Sequence, residues 1–344
     1  MKSHPTCLLQ RRCENRHSQQ GVTLIELMVS LTIGLILMVA IIGAYLGAST
    51  AGRTAEAIGR MNEDGQQALT ILSQQFRMAG ANPSQPDRST ATTGLNLRNN
   101  NLPLHNAMAN AYAVRGCDDK FTNITSASST SALTCSHTAS STGPDSISIA
   151  YETDRYNSVA TSAGVPTDCT GSGVTSTAFT YTKSDEATTA TATVYEAENR
   201  YYIGTSTAII NPSLYCKGNG SANGQPLVEN VENLQIRYGV VNPANLSVTY
   251  VTVSPTFTTT LVLGYLSAYG VDNDATTLTG AAGSSARWNA VKTVRICVVV
   301  RSENSIADST PSARYLDCND TLVTSPPDKR LRRAYSTTVV IRNQ

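Results

Sequence analysis

Glu26 is the single charged side chain in the run from Val22 to Gly52, "VTLIELMVSLTIGLILMVAIIGAYLGASTAG". An ionised carboxylate in bilayer hydrocarbon costs on the order of 2.5 to 3.5 kcal/mol even on the mildest scale. A residue of this type in this place needs a cation to face. Six cysteines beyond the run, Cys117, Cys135, Cys169, Cys216, Cys297 and Cys318, offer a second chemistry. An even number on the far side of a membrane segment reads as up to three disulfides in an oxidising compartment. Six thiols allow fifteen connectivities. The expectation adopted is pairing of nearest neighbours: 117 with 135, 169 with 216, and 297 with 318. A thiolate metal site is the rival reading, but no CxxC occurs and only His105 and His137 lie outside the first 21 residues. A third group, Asp272 and Asp274 in "YGVDNDATT", spaces two carboxylates as a hard cation would want them. Calcium takes six to eight oxygens, so the pair is a weak metal candidate, and no metal or cofactor is assigned.

Catalytic signatures do not appear. There is no GxSxG elbow, HExxH pair or GxxxxGK[ST] phosphate loop, and "GNGSANG" at 218 to 224 reads as a turn. The basic cluster "DKRLRR", 328 to 333, alternates with other residue types and reads as a solvated patch flanking a strand. Overall charge agrees: Lys2, Arg11, Arg12 and Arg16 against Glu14 give the first 21 residues +3 and leave −2 for the rest of a +1 chain. Such a near-neutral body has no global electrostatic reason to bind nucleic acid, and no specific nucleic-acid partner is expected. The reading is of a chain that is not an enzyme.

The elements that must position these groups follow from texture. Charged residues make up 15% of the chain and aromatic residues 6%, with long Ser/Thr/Ala/Asn stretches, which suits an exported β-rich protein better than a cytosolic helical enzyme. The leader, 1 to 21, is basic and has no apolar core of its own. The apolar run behind it is long enough to cross a bilayer core of about 30 Å. The excess of Lys and Arg before the span orients the N-terminus to the cytoplasm and the body outward.

The helix does not stop at the membrane. Ile58, Met61, Ala68, Leu69, Leu72 and Phe76 continue at helical spacing among charged and amide residues until Gly80 and Pro83 end the pattern. The spacing predicts one helix from about Val22 to Ala79, with residues 22–50 as its membrane half and 51–80 as its amphipathic half. Beyond it, 81–344 reads as an exported β-rich globular domain. Here "DSISIAYE" (145–152), "STAFTYTKS" (176–184) and "TATVYEAENRYYIG" (191–204, read as a hairpin) alternate as strands do, and the polar stretch 122–143 reads as a solvated loop tethered at Cys135. Leu234, Ile236, Tyr238 and Val240 fall on one face of a strand, and Val294, Ile296, Val298 and Val300 on one face of another.

At this point the residues carry a resemblance. "GVTLIEL" after a basic leader resembles the processing site of type IV prepilins, which implies cleavage by a prepilin peptidase after Gly21, methylation of the new N-terminal Val22, and an assembly role for Glu26. Val22 departs from the phenylalanine usual in major pilins. "RMAGANP", "VENLQIRYGV", "VKTVRICVVVRS" and "TTVVIRN" are similar to blocks of the minor pilin PilW family, across the first 83 residues and within 226–344. The resemblance implies an α+β pilin-like fold: a long N-terminal helix, transmembrane then amphipathic, packed on an antiparallel sheet with disulfide-tied loops, the 297–318 bond closing the C-terminal loop.

It also implies a functional setting. The chain would be a single-pass inner-membrane precursor, then a pilus subunit of a tip or priming complex supporting assembly, adhesion and twitching motility. Its partners would be other minor and major pilins, the prepilin peptidase, the inner-membrane assembly platform and a tip adhesin. The alternatives are a J-type pseudopilin of a type II secretion system and a membrane-anchored binding protein or hydrolase.

Overall fold

The structure, a computed structural model, describes residues 21–81, 112–182, 189–207, 209–241, 264–273, 284–307 and 309–343. The leader up to residue 20, His105, Pro83 and Asp274 lie outside the described residues. Helix α1 runs unbroken from Leu24 to Met78. The chain divides into an N-terminal unit ending at Thr54, which holds the apolar part of this helix, and a C-terminal unit from Ala55 to the end.

Within the C-terminal unit α1 buries Met61, Gly65, Ala68, Leu69, Leu72 and Phe76, a stripe at helical spacing. Ile58, which the spacing also assigns to the stripe, is 41% exposed because packing begins one turn later, at Met61. Gly65 belongs there for a steric reason: a Cβ would lie 2.5 Å from Cδ2 of Tyr335. Its absence lets the helix backbone meet the aromatic ring. The helix ends at Gly80, whose φ of +69° suits glycine. The Gly80 N–H then donates to Ala150 O at 2.9 Å.

Two antiparallel sheets receive the helix. The first joins β1 (Val114–Cys117), β2 (Ser146–Glu152), β4 (Thr189–Gly204), β5 (Ser213–Lys217) and β6 (Gln225–Glu229) in that order, with β3 (Ser176–Thr182) paired to β4. The second has the order β12-β9-β7-β8, from β7 (Val231–Val240), β8 (Gly264–Leu266), β9 (Val291–Ser305) and β12 (Arg330–Val340). Two short helices, α2 (Ala268–Asn273) and α3 (Ser284–Asn289), sit between β8 and β9, and β10 (Tyr315–Leu316) pairs with β11 (Leu322–Val323) before β12. One apolar core links the α1 stripe to Ile147 and Ile149 of β2 and to the predicted inward faces of β7 and β9. Leu234, Ile236 and Val240 and all four of Val294, Ile296, Val298 and Val300 are fully buried. Tyr238 packs edge-on against Trp288 at 4.8 Å.

Three readings of the sequence are corrected here. Residues 191–204 form no hairpin: they belong to the single long strand β4, whose first part pairs with β3 and whose second part pairs with β2 and β5. Glu198, Asn199 and Arg200, which look like turn residues, are mid-strand. Asn199 donates to Gln75 Oε1 of α1 at 2.9 Å and accepts from Cys169 N–H at 3.0 Å.

The Ser/Thr-rich stretch after Thr122 is tethered at Cys135 as expected and keeps most of its side chains in solvent, but it is not wholly a solvated excursion. It folds back over the first sheet with Phe121, Ile124 and Leu133 buried in a small cluster of their own. Strand β2 is therefore buried on both faces. Its Ser146 Oγ accepts from Phe121 N–H at 2.9 Å, and its Ser148 Oγ meets Thr130 Oγ1 at 2.8 Å. Arg115, Ser148, Arg200 and Lys217 form one cross-strand row over β1, β2, β4 and β5. The cations in the row point their donors at backbone carbonyls. Arg115 reaches Thr130 O at 3.0 Å and Leu133 O at 2.8 Å. Arg200 reaches Ile124 O at 3.1 Å and Ala127 O at 2.9 Å, and Lys217 reaches Gly218 O at 2.6 Å.

The third correction concerns "DKRLRR". Arg332 is buried, not solvated. Its guanidinium forks to Glu232 Oε1 at 3.1 Å and Asp328 Oδ1 at 2.7 Å. Hydrogen bonding to Arg332 holds the Asp328 carboxyl below the usual carboxylate range.

Disulfides join Cys117 to Cys135, Cys169 to Cys216 and Cys297 to Cys318. The first closes the covering loop, the second ties the 153–175 connection to β5, and the third fastens the β10–β11 loop to β9. Closing a loop of about 20 residues stabilises a fold by roughly 3 kcal/mol in the chain-entropy model.

Candidate assembly site

Gly21 and Val22 are exposed and precede the first helical residue, so the bond between them lies in open, non-helical backbone. A Cβ on Gly21 would meet nothing within 4 Å. The fold gives no reason for a glycine at that position.

The next residues explain how the helix starts. Glu26 N–H donates to Thr23 Oγ1 at 3.3 Å, while Thr23 N–H and Oγ1–H both face Glu26 Oε2 at 3.4 Å. This is a reciprocal capping box, in which a threonine N-cap and an acidic residue three places on satisfy each other's backbone donors. Thr23 went unnoticed in the sequence, although T-x-x-E before an apolar run is its signature. The carboxylate thus sits at the helix N-terminus, where the helix dipole favours an anion by a few tenths to about 1 kcal/mol.

From Leu24 to Leu46 the large apolar side chains are exposed, among them Leu24, Ile25, Ile36, Val39 and Ile42. None of the apolar window of α1 is buried, and the helix is long and apolar enough to cross a membrane. Its hydroxyls fold inward: Ser30 donates to Leu27 O at 3.0 Å and Thr32 to Val29 O at 2.8 Å. Such back-bonding is what a lipid-facing helix requires of its polar side chains. The glycines that soften the helix, Gly34, Gly43, Gly47, Gly52 and Gly59, all face open space.

The other candidate residues are not brought to this site. Asp272 lies in α2, where Oδ1 accepts Trp288 Nε1–H at 2.8 Å and Oδ2 lies 3.5 Å from His137 Nε2. Its oxygens face donors, an unsuitable arrangement for a calcium cage.

Residues 16–42 match the prokaryotic N-terminal methylation motif, and residues 200–343 match the family described as type IV pilus-assembly protein W. One end of the chain is thus similar to prepilin N-termini and the other to the PilW family. The motif takes in Gly21, Val22 and Glu26. The PilW region opens in the middle of β4 and contains the whole second sheet, α2 and α3, and the 297–318 disulfide, so it reaches further than the separate blocks read from the sequence. Residues 43–199, including most of the first sheet and its covering loop, lie outside both matches. No curated protein and no solved structure matches the chain. The chain is accordingly similar to type IV pilus proteins in these two stretches, and among the described residues it has one helix long and apolar enough to cross a membrane.

Proposed function

We propose that the chain is a minor pilin, a structural and non-catalytic subunit, made as a single-span precursor. The leader 1–21 is cytoplasmic and is removed by prepilin peptidase after Gly21, and Val22 is methylated. Residues 22–50 hold the inner membrane and later the fibre core, 51–80 carry the body, and 81–344 is exported. The observation that carries this reading is the coincidence of the methylation motif with a helix whose apolar half buries nothing of its own. A surface of that kind is stable only in lipid or against the helices of neighbouring subunits.

Cleavage creates a cationic amine at Val22 within one turn of Glu26. In the fibre the carboxylate faces that amine or a neighbour's, which sets the register of the incoming subunit. The likeness of residues 200–343 to the PilW family supports a role in a tip or priming complex with other minor pilins and a tip adhesin, assembled at the inner-membrane platform and serving adhesion and twitching.

Mass spectrometry of the mature chain tests the processing: it is expected to begin at methylated Val22, and retention of residues 1–21 sinks the reading. Glu26→Ala and Glu26→Gln are expected to insert and be cleaved yet fail to enter pili, and normal incorporation of both refutes the assembly role. Deletion of the gene separates the pilus from the type II secretion reading, since loss of pili with intact protein secretion supports the former and the reverse supports the latter.

A further inference from the structure

The Cys117–Cys135 bond lies beside a third side chain of ligand type. His137 follows Cys135 by two residues, and its side chain is only 8% exposed. One of its ring nitrogens and the two sulfurs all lie within 4.8 Å of one another. The two nitrogens differ in their surroundings. Nε2 faces the Asp272 carboxylate at 3.5 Å, and that carboxylate is itself fixed by Trp288 Nε1–H at 2.8 Å. Nδ1 is buried and has no hydrogen-bond partner among the described residues. Tyr269 packs edge-on against the ring at 5.4 Å and helps hold its plane.

This is the environment of a metal-ligating histidine. A carboxylate facing one ring nitrogen orients the imidazole and leaves the lone pair of the other nitrogen for a cation. A buried acceptor without a donor is otherwise unfavourable, and ligation would satisfy it. The histidine alone is one ligand, and the sulfurs supply two more only when their bond is open.

We propose that Cys117, Cys135 and His137 form a redox-gated site for a thiophilic transition-metal cation of the zinc kind, with Asp272 as the outer carboxylate. In the oxidised chain the sulfurs are bonded to each other and no thiolate is available. A dithiol reductant transfers two electrons and two protons to the pair and leaves as its own disulfide. The divalent cation then displaces both thiol protons, binds the two thiolates and accepts the Nδ1 lone pair, and water takes the fourth tetrahedral position. Thiolates about 2.3 Å from a tetrahedral metal stand about 3.8 Å apart, and the 5.7 Å between the two Cα atoms allows that by side-chain rotation alone. Cys135 is half-buried while Cys117 is fully buried, so exchange begins at Cys135. A newly exported, still reduced chain would hold metal here until oxidation closed the loop over the first sheet.

The test uses the full chain in detergent micelles, oxidised and phosphine-reduced, titrated with zinc against a chromophoric chelator and with cobalt(II) for its spectrum. One ion that His137→Gln removes is expected per reduced chain, with thiolate-to-cobalt charge transfer and tetrahedral ligand-field bands, and no such His137-dependent ion in the oxidised chain. His137→Gln should weaken binding at least tenfold, and Asp272→Asn should weaken it about 10- to 100-fold with a shift of the cobalt bands. Equal binding by the oxidised and reduced chains, or unchanged affinity in His137→Gln, overturns the proposal. If reduction unfolds the body, oxidative refolding with and without zinc reads the same site. Peptide mapping should then show zinc slowing formation of the 117–135 bond in the parent chain but not in His137→Gln. Equal slowing in both chains, or none in either, overturns the proposal as well.

Discussion

The two sheets of the C-terminal unit are closed in opposite ways. The β12-β9-β7-β8 sheet is covered by apolar contact: alternating Val, Ile and Leu on its strands meet the stripe of α1, and Gly65 admits the ring of Tyr335. On the β1-β2-β4-β5 sheet, one face joins that same core. The other is covered by a loop of small polar residues, held through a row of cations bonded to its carbonyls. The difference teaches where specificity is written. In the first case it is written in side-chain shape. In the second much of it is written in the sheet, by Arg115 and Arg200, which gather the backbone of the loop, while the loop adds a few side chains, Ile124, Thr130, Leu133 and Cys135.

Removing the gathering cation should have the largest effect. Arg200→Ala takes the donor from the Ile124 and Ala127 carbonyls and leaves the Glu198 carboxylate with the Thr130 N–H but no cation, an effect of about 3 to 5 kcal/mol in buried pairs of this kind. Chemical denaturation should show it, and limited proteolysis should cut first within 121–135. A loss below about 1 kcal/mol would mean that Arg115, the disulfide and the buried Ile124 and Leu133 hold the loop without Arg200.

The polar sheet should also be the pH-sensitive one. Burial, with Glu198 and Glu152 nearby, pushes the Glu196 carboxyl from an ordinary 4.5 up to about 8. Its native pKa is raised, so between those values the folded state keeps a proton that the unfolded state has released, and stability falls as pH rises through that window. At about 1.4 kcal/mol per tenfold change in proton affinity the total is a few kcal/mol. Thermal melts at pH 5 and pH 9 should show Glu196→Gln with a flatter pH profile than the parent, and identical profiles would break the assignment.

On the apolar sheet the sensitive position is a glycine. Gly65→Ala drives a methyl into Tyr335 and should destabilise by about 1 to 3 kcal/mol. Gly59→Ala, one turn and a half earlier on the same helix and facing open space, should stabilise by about 0.5 to 1 kcal/mol. Measured together by thermal melting, the two substitutions separate a glycine kept for close approach from one that only softens the helix.

The contrast also decides what could be read from the sequence. Faces of period two along Leu234–Val240 and Val294–Val300 were legible because apolar shape is carried by residue type. The apolar run, the Gly80 stop and the Gly21–Glu26 string were legible for similar reasons. The roles of Ser148, Asn199 and Arg200 were not, because a polar residue in a strand gives no sign that a distant segment will arrive to bond it. "AENRYY" imitates a turn for the same reason: its polar residues look solvent-bound until the covering loop is in place. Thr23 is legible in principle, because it stands three residues before Glu26 at the head of an apolar run, the spacing of a capping box. Arg332 could have been found only by knowing that Glu232 lies beside it across 100 positions of chain.

The end of α1 has a mechanical consequence. Asn343 Nδ2–H grips Arg77 O at 3.0 Å, its own carbonyl fills the space beside Gly80, and Gly80 and Ala81 bond β2 through Ala150 O and Glu152 N–H. The end of the helix is therefore fastened both to the last residues of the chain and to a central strand of the other sheet, beyond the stripe from Met61 to Phe76 that is buried along its length.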